Sequence, residues 1–281
     1  MTTPRAPGRA RRGFSLIELL ITLVLVAIIG VAAGRMLMSQ TRFYSRLAGQ
    51  KDARSVTRNA RNIIQTELSM VEAGTGVVAA SNDSVRVRMP YAWGVYCNSD
   101  KMMMLPVDSA MYAMAVFAGY AIKDTTPAGQ YTYTTSTTTP SSGSATDCTD
   151  PPVSITAPTD GRYMELSPSV PVATTAGSPM FLYQEVTYKF AASGIVSGKR
   201  GLFRRVANGA AEELLAPFDT TAKFRFYSLY DDVAQTAVPP LINIRGIELM
   251  LDAQSPTRTS GQANPETASI KTAIFFRNRV D

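Results

Sequence analysis

Histidine is absent from this chain of 281 residues. Its absence removes Ser-His-Asp and Cys-His nucleophile pairs, His-containing zinc sites and the commonest general base. Spaced acids of the kind that form a calcium loop are missing too, and no metal or cofactor is expected. The acid pairs that draw attention are Asp231-Asp232, Asp147 with Asp150, and Glu212-Glu213. Each reads more simply as a turn, a loop or a helix start than as a catalytic dyad, so an enzyme is not expected. No proline occurs between Pro7 and Pro90, so nothing in that stretch breaks a helix. Cysteine is limited to Cys97 and Cys148.

What is present is unevenly distributed. Hydrophobic residues make up 45% of the chain and charged residues 18%, enough for one good core or two small ones. Much of the apolar content sits in one block near the N-terminus, where residues 14–34 read FSLIELLITLVLVAIIGVAAG with a single charge, Glu18. As a helix this block spans about 31 Å, sufficient for the hydrocarbon core of a bilayer. Before it stand Arg5, Arg9, Arg11 and Arg12 with no acid. The positive-inside rule therefore keeps residues 1–13 in the cytoplasm and sends the rest outward. Without those four arginines, 24 basic residues face 22 acids, so the net charge of +6 belongs largely to the leader and argues little for a nucleic-acid partner.

A secretory signal would have a shorter apolar stretch and an A-x-A-type site, to which Val31-Ala32-Ala33-Gly34 is only a partial match. A plain signal anchor fits the length but leaves Glu18 unexplained, since a carboxylate in lipid costs about 2.5–3.5 kcal/mol on insertion scales. The string Arg11-Arg12-Gly13-Phe14-Ser15-Leu16-Ile17-Glu18-Leu19-Leu20 resembles the class III signal of type IV prepilins and type II secretion pseudopilins. The resemblance implies cleavage between Gly13 and Phe14 by a prepilin peptidase, N-methylation of the new terminal Phe14, and retention of the apolar segment. Glu18 would then neutralise the Phe14 amine of a neighbouring subunit. An unpaired charge is costly in a low-dielectric bundle, so the pair acts as a registry device between subunits. Gly30 and Gly34 also match G-x-x-x-G, which lets membrane helices approach closely.

After Gly34 the pattern becomes amphipathic, with Leu37, Tyr44, Leu47, Val56, Ala60, Ile63, Ile64, Leu68 and Val71 spaced largely by threes and fours. One helix over residues 14–71 is expected, about 87 Å long, stopping near Gly74 and Gly76. Arg35, Arg42, Arg46, Lys51, Arg54, Arg58 and Arg61 run along its second half. They can form a stripe for DNA or anionic lipid, and a solvated face beside the membrane is the simpler reading.

The remainder reads as β-rich. Val77-Val78-Ala79 and Val85-Arg86-Val87-Arg88-Met89 bracket a polar turn and predict a hairpin. Residues 108–122 fit either a short helix or a buried strand. Residues 131–152, dominated by Thr, Ser and Pro, predict a long surface loop that Cys148 would pin. Two cysteines in an exported domain read as one disulfide closing a loop of about fifty residues, worth roughly 3–4 kcal/mol; two unpaired thiols are the alternative. Alternation in Val186-Thr187-Tyr188-Lys189-Phe190, Lys223-Phe224-Arg225-Phe226-Tyr227, residues 242–251 and residues 270–278 predicts strands of an antiparallel sheet covering the helix.

The expected organisation is thus a cleaved leader (1–13), a transmembrane or filament-core helix (14–34), an amphipathic helix (35–73) and a β-rich head (74–281). This is an α+β lollipop of the pilin-like kind. The order of motifs in the C-terminal third is similar to the large minor subunits called PilW in type IV pili and J in type II secretion. That resemblance implies a subunit of the bacterial inner membrane with its head in the periplasm, which primes a filament or caps its tip. Other pilins, the prepilin peptidase and an inner-membrane assembly platform would be its partners. A tip-located module binding a surface or DNA is the alternative, with residues 90–180 as the place to look.

Overall fold

The structure is a computed structural model and describes residues 15–98, 100–123, 130–144, 148, 155–170 and 174–276. Helix α1 (Leu16–Leu68) is continuous over 53 residues, about 80 Å at the standard rise. It begins after Ser15, whose backbone is extended, and closes at Ser69, whose N–H bonds to the carbonyl of Gln65. Gly74, with φ of 70°, then turns the chain away. A Cβ at Gly74 would meet the Ile242 carbonyl oxygen at 2.7 Å, so both the conformation and the space demand glycine. The helix stops three residues before the expected Val71, which is nonetheless buried.

Among the described residues thirteen strands form one antiparallel sheet. The predicted hairpin is present as β1 (Val77–Ser81) and β2 (Ser84–Tyr96), paired from Ser81–Ser84 to Val77–Val87. In the middle third come β3 (Lys101–Met104), β4 (Gly119–Lys123), β5 (Tyr131–Thr135), β6 (Ser141–Ser142) and β7 (Arg162–Glu165). Then follow β8 (Pro179–Ala192), β9 (Arg200–Val206), β10 (Glu212–Phe218), β11 (Lys223–Ser228), β12 (Ile244–Gln254) and β13 (Thr267–Phe275). The order is β11-β12-β10-β9-β8-β2-β3-β7-β6, with β13 on the outside of β12 and β4 joining β8 to β5. A long apolar helix followed by a large antiparallel sheet is the α+β arrangement expected. Residues 277–278, the end of the predicted closing strand, lie outside the described residues.

The two longest strands, β2 and β8, pair from Ser84–Lys189 to Val95–Pro179 and so run through two separate cores. The proximal core joins Phe190, Phe218, Phe224, Phe226, Ile247 and Leu251 to one helix stripe, Ala53, Thr57, Ala60, Ile64 and Leu68. Small residues on three of those positions bring the sheet close to the helix backbone. The distal core is rich in methionine, with Met102, Met104, Met164 and Met180 around Tyr120, Ile122 and Leu182.

Three expectations need adjustment. Leu37, Tyr44 and Leu47 are exposed, because the body of the head packs against only the last part of the helix. Residues 16–41 stand clear of the head, and the connection 255–266 reaches down to Arg42 and Arg46. Residues 108–122 hold both alternatives in turn: a short helix α2 (Ser109–Met114), capped by Asp108 through the Met111 N–H at 2.9 Å, and then β4. Tyr131–Thr135, expected within a surface loop, is strand β5, since its tyrosines at alternate positions face the core while its threonines suit a strand. Aromatic rings bridge the strands β2, β8 and β5: Trp93 and Tyr131 both lie against Phe181, with ring centroids 4.7 and 4.8 Å away.

The seam between helix and head supplies a direct test. Ile64 is fully buried against the sheet, so Ile64→Ala should cost about 2–5 kcal/mol in denaturant melts of the whole chain. A loss under 1 kcal/mol would mean the head is stable without its helix.

Candidate functional site

The feature that ordinary burial does not explain is the lower half of α1. Within Leu16–Leu68 an 18-residue window has mean hydropathy 2.8, and none of it is buried. Leu16 is 81% exposed and Val26 68%. In water such a surface is strongly unfavourable, so lipid or other helices must cover it. Nothing kinks this segment. The Thr22 hydroxyl satisfies itself on the Glu18 and Leu19 carbonyls at 2.9 Å each.

Glu18 sits in the first turn, its side chain outward, and the carboxylate has no partner among the described residues. Gly30 and Gly34, one turn apart, share a face on which no atom lies within 4 Å of where a Cβ would stand. Gly13 and Phe14, and with them the expected processing point, lie outside the described residues, as does the leader.

Cys97 and Cys148 are joined, with Cα atoms 5.0 Å apart across a sequence separation of 51. Both are buried, beside Met103 and the partly buried Val95, Ile155 and Tyr163. The Cys97 N–H bonds to Lys101 O, and Ile155 N–H to Cys148 O, so the bridge holds Cys148, and with it Ile155, beside β3 and β7.

The acid pairs do structural work. Asp231 accepts from the Val233 N–H at 2.9 Å and from Gln235, and these bonds hold its carboxyl below its ordinary value. Asp232 pairs with Arg245 at 2.5 Å. Glu212 and Glu213 begin β10, a strand and not the expected turn, loop or helix start, and Glu213 fastens the β8–β9 turn through Ser193 and the Gly194 N–H. Asp147 and Asp150 lie outside the described residues.

One acid escaped the sequence reading. Glu72, just past the helix, is 3% exposed. It accepts from Thr75 Oγ1 at 2.8 Å and from the Tyr131 N–H at 2.9 Å, which ties the helix end to β5. Beside it the Arg88 guanidinium lies 4.7 Å from the Tyr133 ring centroid and donates to the Thr75 carbonyl at 2.8 Å. Burial pushes the Glu72 carboxyl above its ordinary 4.5, partly offset by those hydrogen bonds. Nothing local in Val71-Glu72-Ala73 marks it as buried.

The raised value has a defined sign. Between 4.5 and the raised value the folded state holds more protons than the unfolded state, so this group's contribution falls as pH rises. Glu72→Gln keeps an acceptor without the charge. The melting temperature of Glu72→Gln minus that of the wild type should grow as pH is raised from 4.5 to 7. A difference that stays flat with pH would show that Glu72 carries no buried charge.

Against known families, residues 8–34 match the model described as the prokaryotic N-terminal methylation motif. Comparison with curated proteins gave no match, and comparison with solved structures gave none. The matched stretch is the one that holds Gly13, Phe14, Glu18, Gly30 and Gly34, and it is a small fraction of the chain. The N-terminus therefore carries a type IV pilin-like prepilin signal, and the helix it runs into is long and apolar enough to cross a membrane.

Proposed function

We propose that this protein is a large minor pilin or pseudopilin: a structural, non-catalytic subunit that primes assembly of a pilus-like filament or caps its tip. The observation that carries the reading is the methylation motif running into a helix that stays bare of its own head over residues 16–41. In this reading a prepilin peptidase cuts after Gly13 and Phe14 becomes the methylated N-terminus. The helix crosses the inner membrane once, and the head stands in the periplasm. Glu18 meets the Phe14 amine of a neighbouring subunit, which sets the axial register, and Gly30 with Gly34 lets neighbouring helices approach. Other minor and major pilins are the partners, brought together at an inner-membrane assembly platform. A two-lobed head suits the end of a filament better than its packed shaft.

A tip-located binding module for a surface or DNA is a second reading. The distal lobe favours it, being pinned by the disulfide and leaving Trp93 39% exposed beside Phe181 and Tyr131. A strain lacking the gene separates the possibilities when surface pili are counted by electron microscopy. Loss of pili, restored by the wild-type gene, supports priming of a type IV pilus. Normal pili with a changed secreted proteome would assign the chain to a type II secretion pseudopilus instead.

A further inference from the structure

The basic residues of α1 fall on two different faces. At 3.6 residues per turn, Arg35, Arg42 and Arg46 lie within about 40° of the direction in which Ala53, Thr57, Ala60, Ile64 and Leu68 meet the head. They continue the head-facing stripe downward, beneath the head. Lys51, Arg54, Arg58 and Arg61 are turned roughly 60–140° away from it, toward solvent.

The 255–266 connection between β12 and β13 overhangs the lower group. Ser255 presses on the helix at Gly49, where an added Cβ would meet the serine Cβ at 3.1 Å. The Arg42 guanidinium lies 3.7 Å from the position of a Cβ at Gly261. Gln262, with its amide oriented to suit its neighbours, accepts from Arg46 Nε at 2.9 Å and Nη2 at 3.1 Å, and donates to Glu266 at 2.8 Å. A groove of about 490 Å³ runs along Arg35, Met38, Ser39, Arg42, Phe43 and Arg46. Arg258 shares a neighbouring cleft with Ser45, Ala48 and Gly49 of the helix. The acids facing it are Glu266, occupied with Gln262 and Gln50, and Asp52.

Height along the helix decides what this recess meets. The apolar run ends at Gly34, so Arg35 stands at the edge of the hydrocarbon core and within the headgroup layer, about 5–7 Å thick on each side. Arg42 is about 10 Å further along the axis, a gap its long side chain can span by bending toward the interface. We propose that this recess seats the phosphate headgroups of anionic phospholipids and holds the head over the membrane surface before assembly. The inference rests on the reading of residues 14–34 as a membrane anchor.

Full-length protein reconstituted in nanodiscs of mixed phosphatidylglycerol and phosphatidylethanolamine provides the test. Native mass spectrometry of the released protein reads which lipid stays bound. Wild type should retain phosphatidylglycerol over phosphatidylethanolamine by at least about fivefold. Arg35→Gln/Arg42→Gln/Arg46→Gln should bring the ratio to that of the bulk lipid. Arg54→Gln/Arg58→Gln/Arg61→Gln removes the same charge from the other face and should leave the ratio unchanged. Arg35→Gln/Arg42→Gln, which spares the Arg46 contact to Gln262, should show most of the loss and so exclude a loosened loop as the cause. No preference in wild type, or equal loss from both triple variants, overturns the proposal. Protein that inserts in no bilayer overturns the anchor and the inference together.

Discussion

Glu18→Ala should abolish filament assembly while leaving membrane insertion at least as efficient as in wild type. The carboxylate is the single charge of the apolar run 14–34, with no partner among the described residues. Removing it takes away an insertion cost of about 2.5–3.5 kcal/mol, so a defect in the variant is not a failure to enter the membrane. The defect should come at docking. With Glu18 gone, the Phe14 amine of a neighbour would be buried unpaired among apolar helices, a penalty of about 3–5 kcal/mol. That corresponds to roughly a hundredfold or greater loss in the docking equilibrium. Piliation in a complemented deletion strain, counted by electron microscopy, should fall to the level of the empty strain. Membrane fractions should still contain processed protein. Pili at wild-type number would remove Glu18 from subunit registry.

Cys97→Ser/Cys148→Ser should lower stability by roughly 3–4 kcal/mol in the loop-closure picture, about 6–16 °C in melting temperature for a domain of this size. The loss should be local. The bridge anchors Cys148 to Cys97 beside β3 and β7, whereas the proximal core is built from the helix stripe with β1, the first half of β2 and β8–β13. Hydrogen exchange on the intact chain should therefore show protection lost first in the distal lobe, with β11 and β12 little changed. An unaltered melting temperature, or uniform loss of protection, would refute a lobe held by its disulfide.

These two tests mark different kinds of legibility. Glu18 could be singled out directly, because a lone carboxylate in an apolar run is costly wherever the chain goes. The C-terminal strands were equally plain. Val186-Thr187-Tyr188-Lys189-Phe190 and Lys223-Phe224-Arg225-Phe226-Tyr227 keep a period of two because one face meets the helix and the other is open. Strand β3 gave no such signal. Met102, Met103 and Met104 are all buried, so no polar face alternates with an apolar one. Residues 131–135 misled for the opposite reason: their threonines hid two inward-facing tyrosines within a low-complexity composition. The amphipathic pattern likewise extended below the head, to Leu37 and Tyr44, where apolar spacing marks surface to be covered by something outside the chain.

By itself, the sequence determined the prepilin signal, the long unbroken helix and the two cysteines able to pair. These depend on local composition, on the absence of proline and on a short inventory of residues. Tertiary structure alone decided how far down the helix the head reaches, how β2 and β8 thread two cores, and where charges end up. The bond between Glu72 and Tyr131 spans 59 residues, and Arg42 faces the underside of the head because of a loop more than two hundred residues later. Such contacts depend on how the sheet brings distant segments together, and no local pattern of residue types encodes that distance.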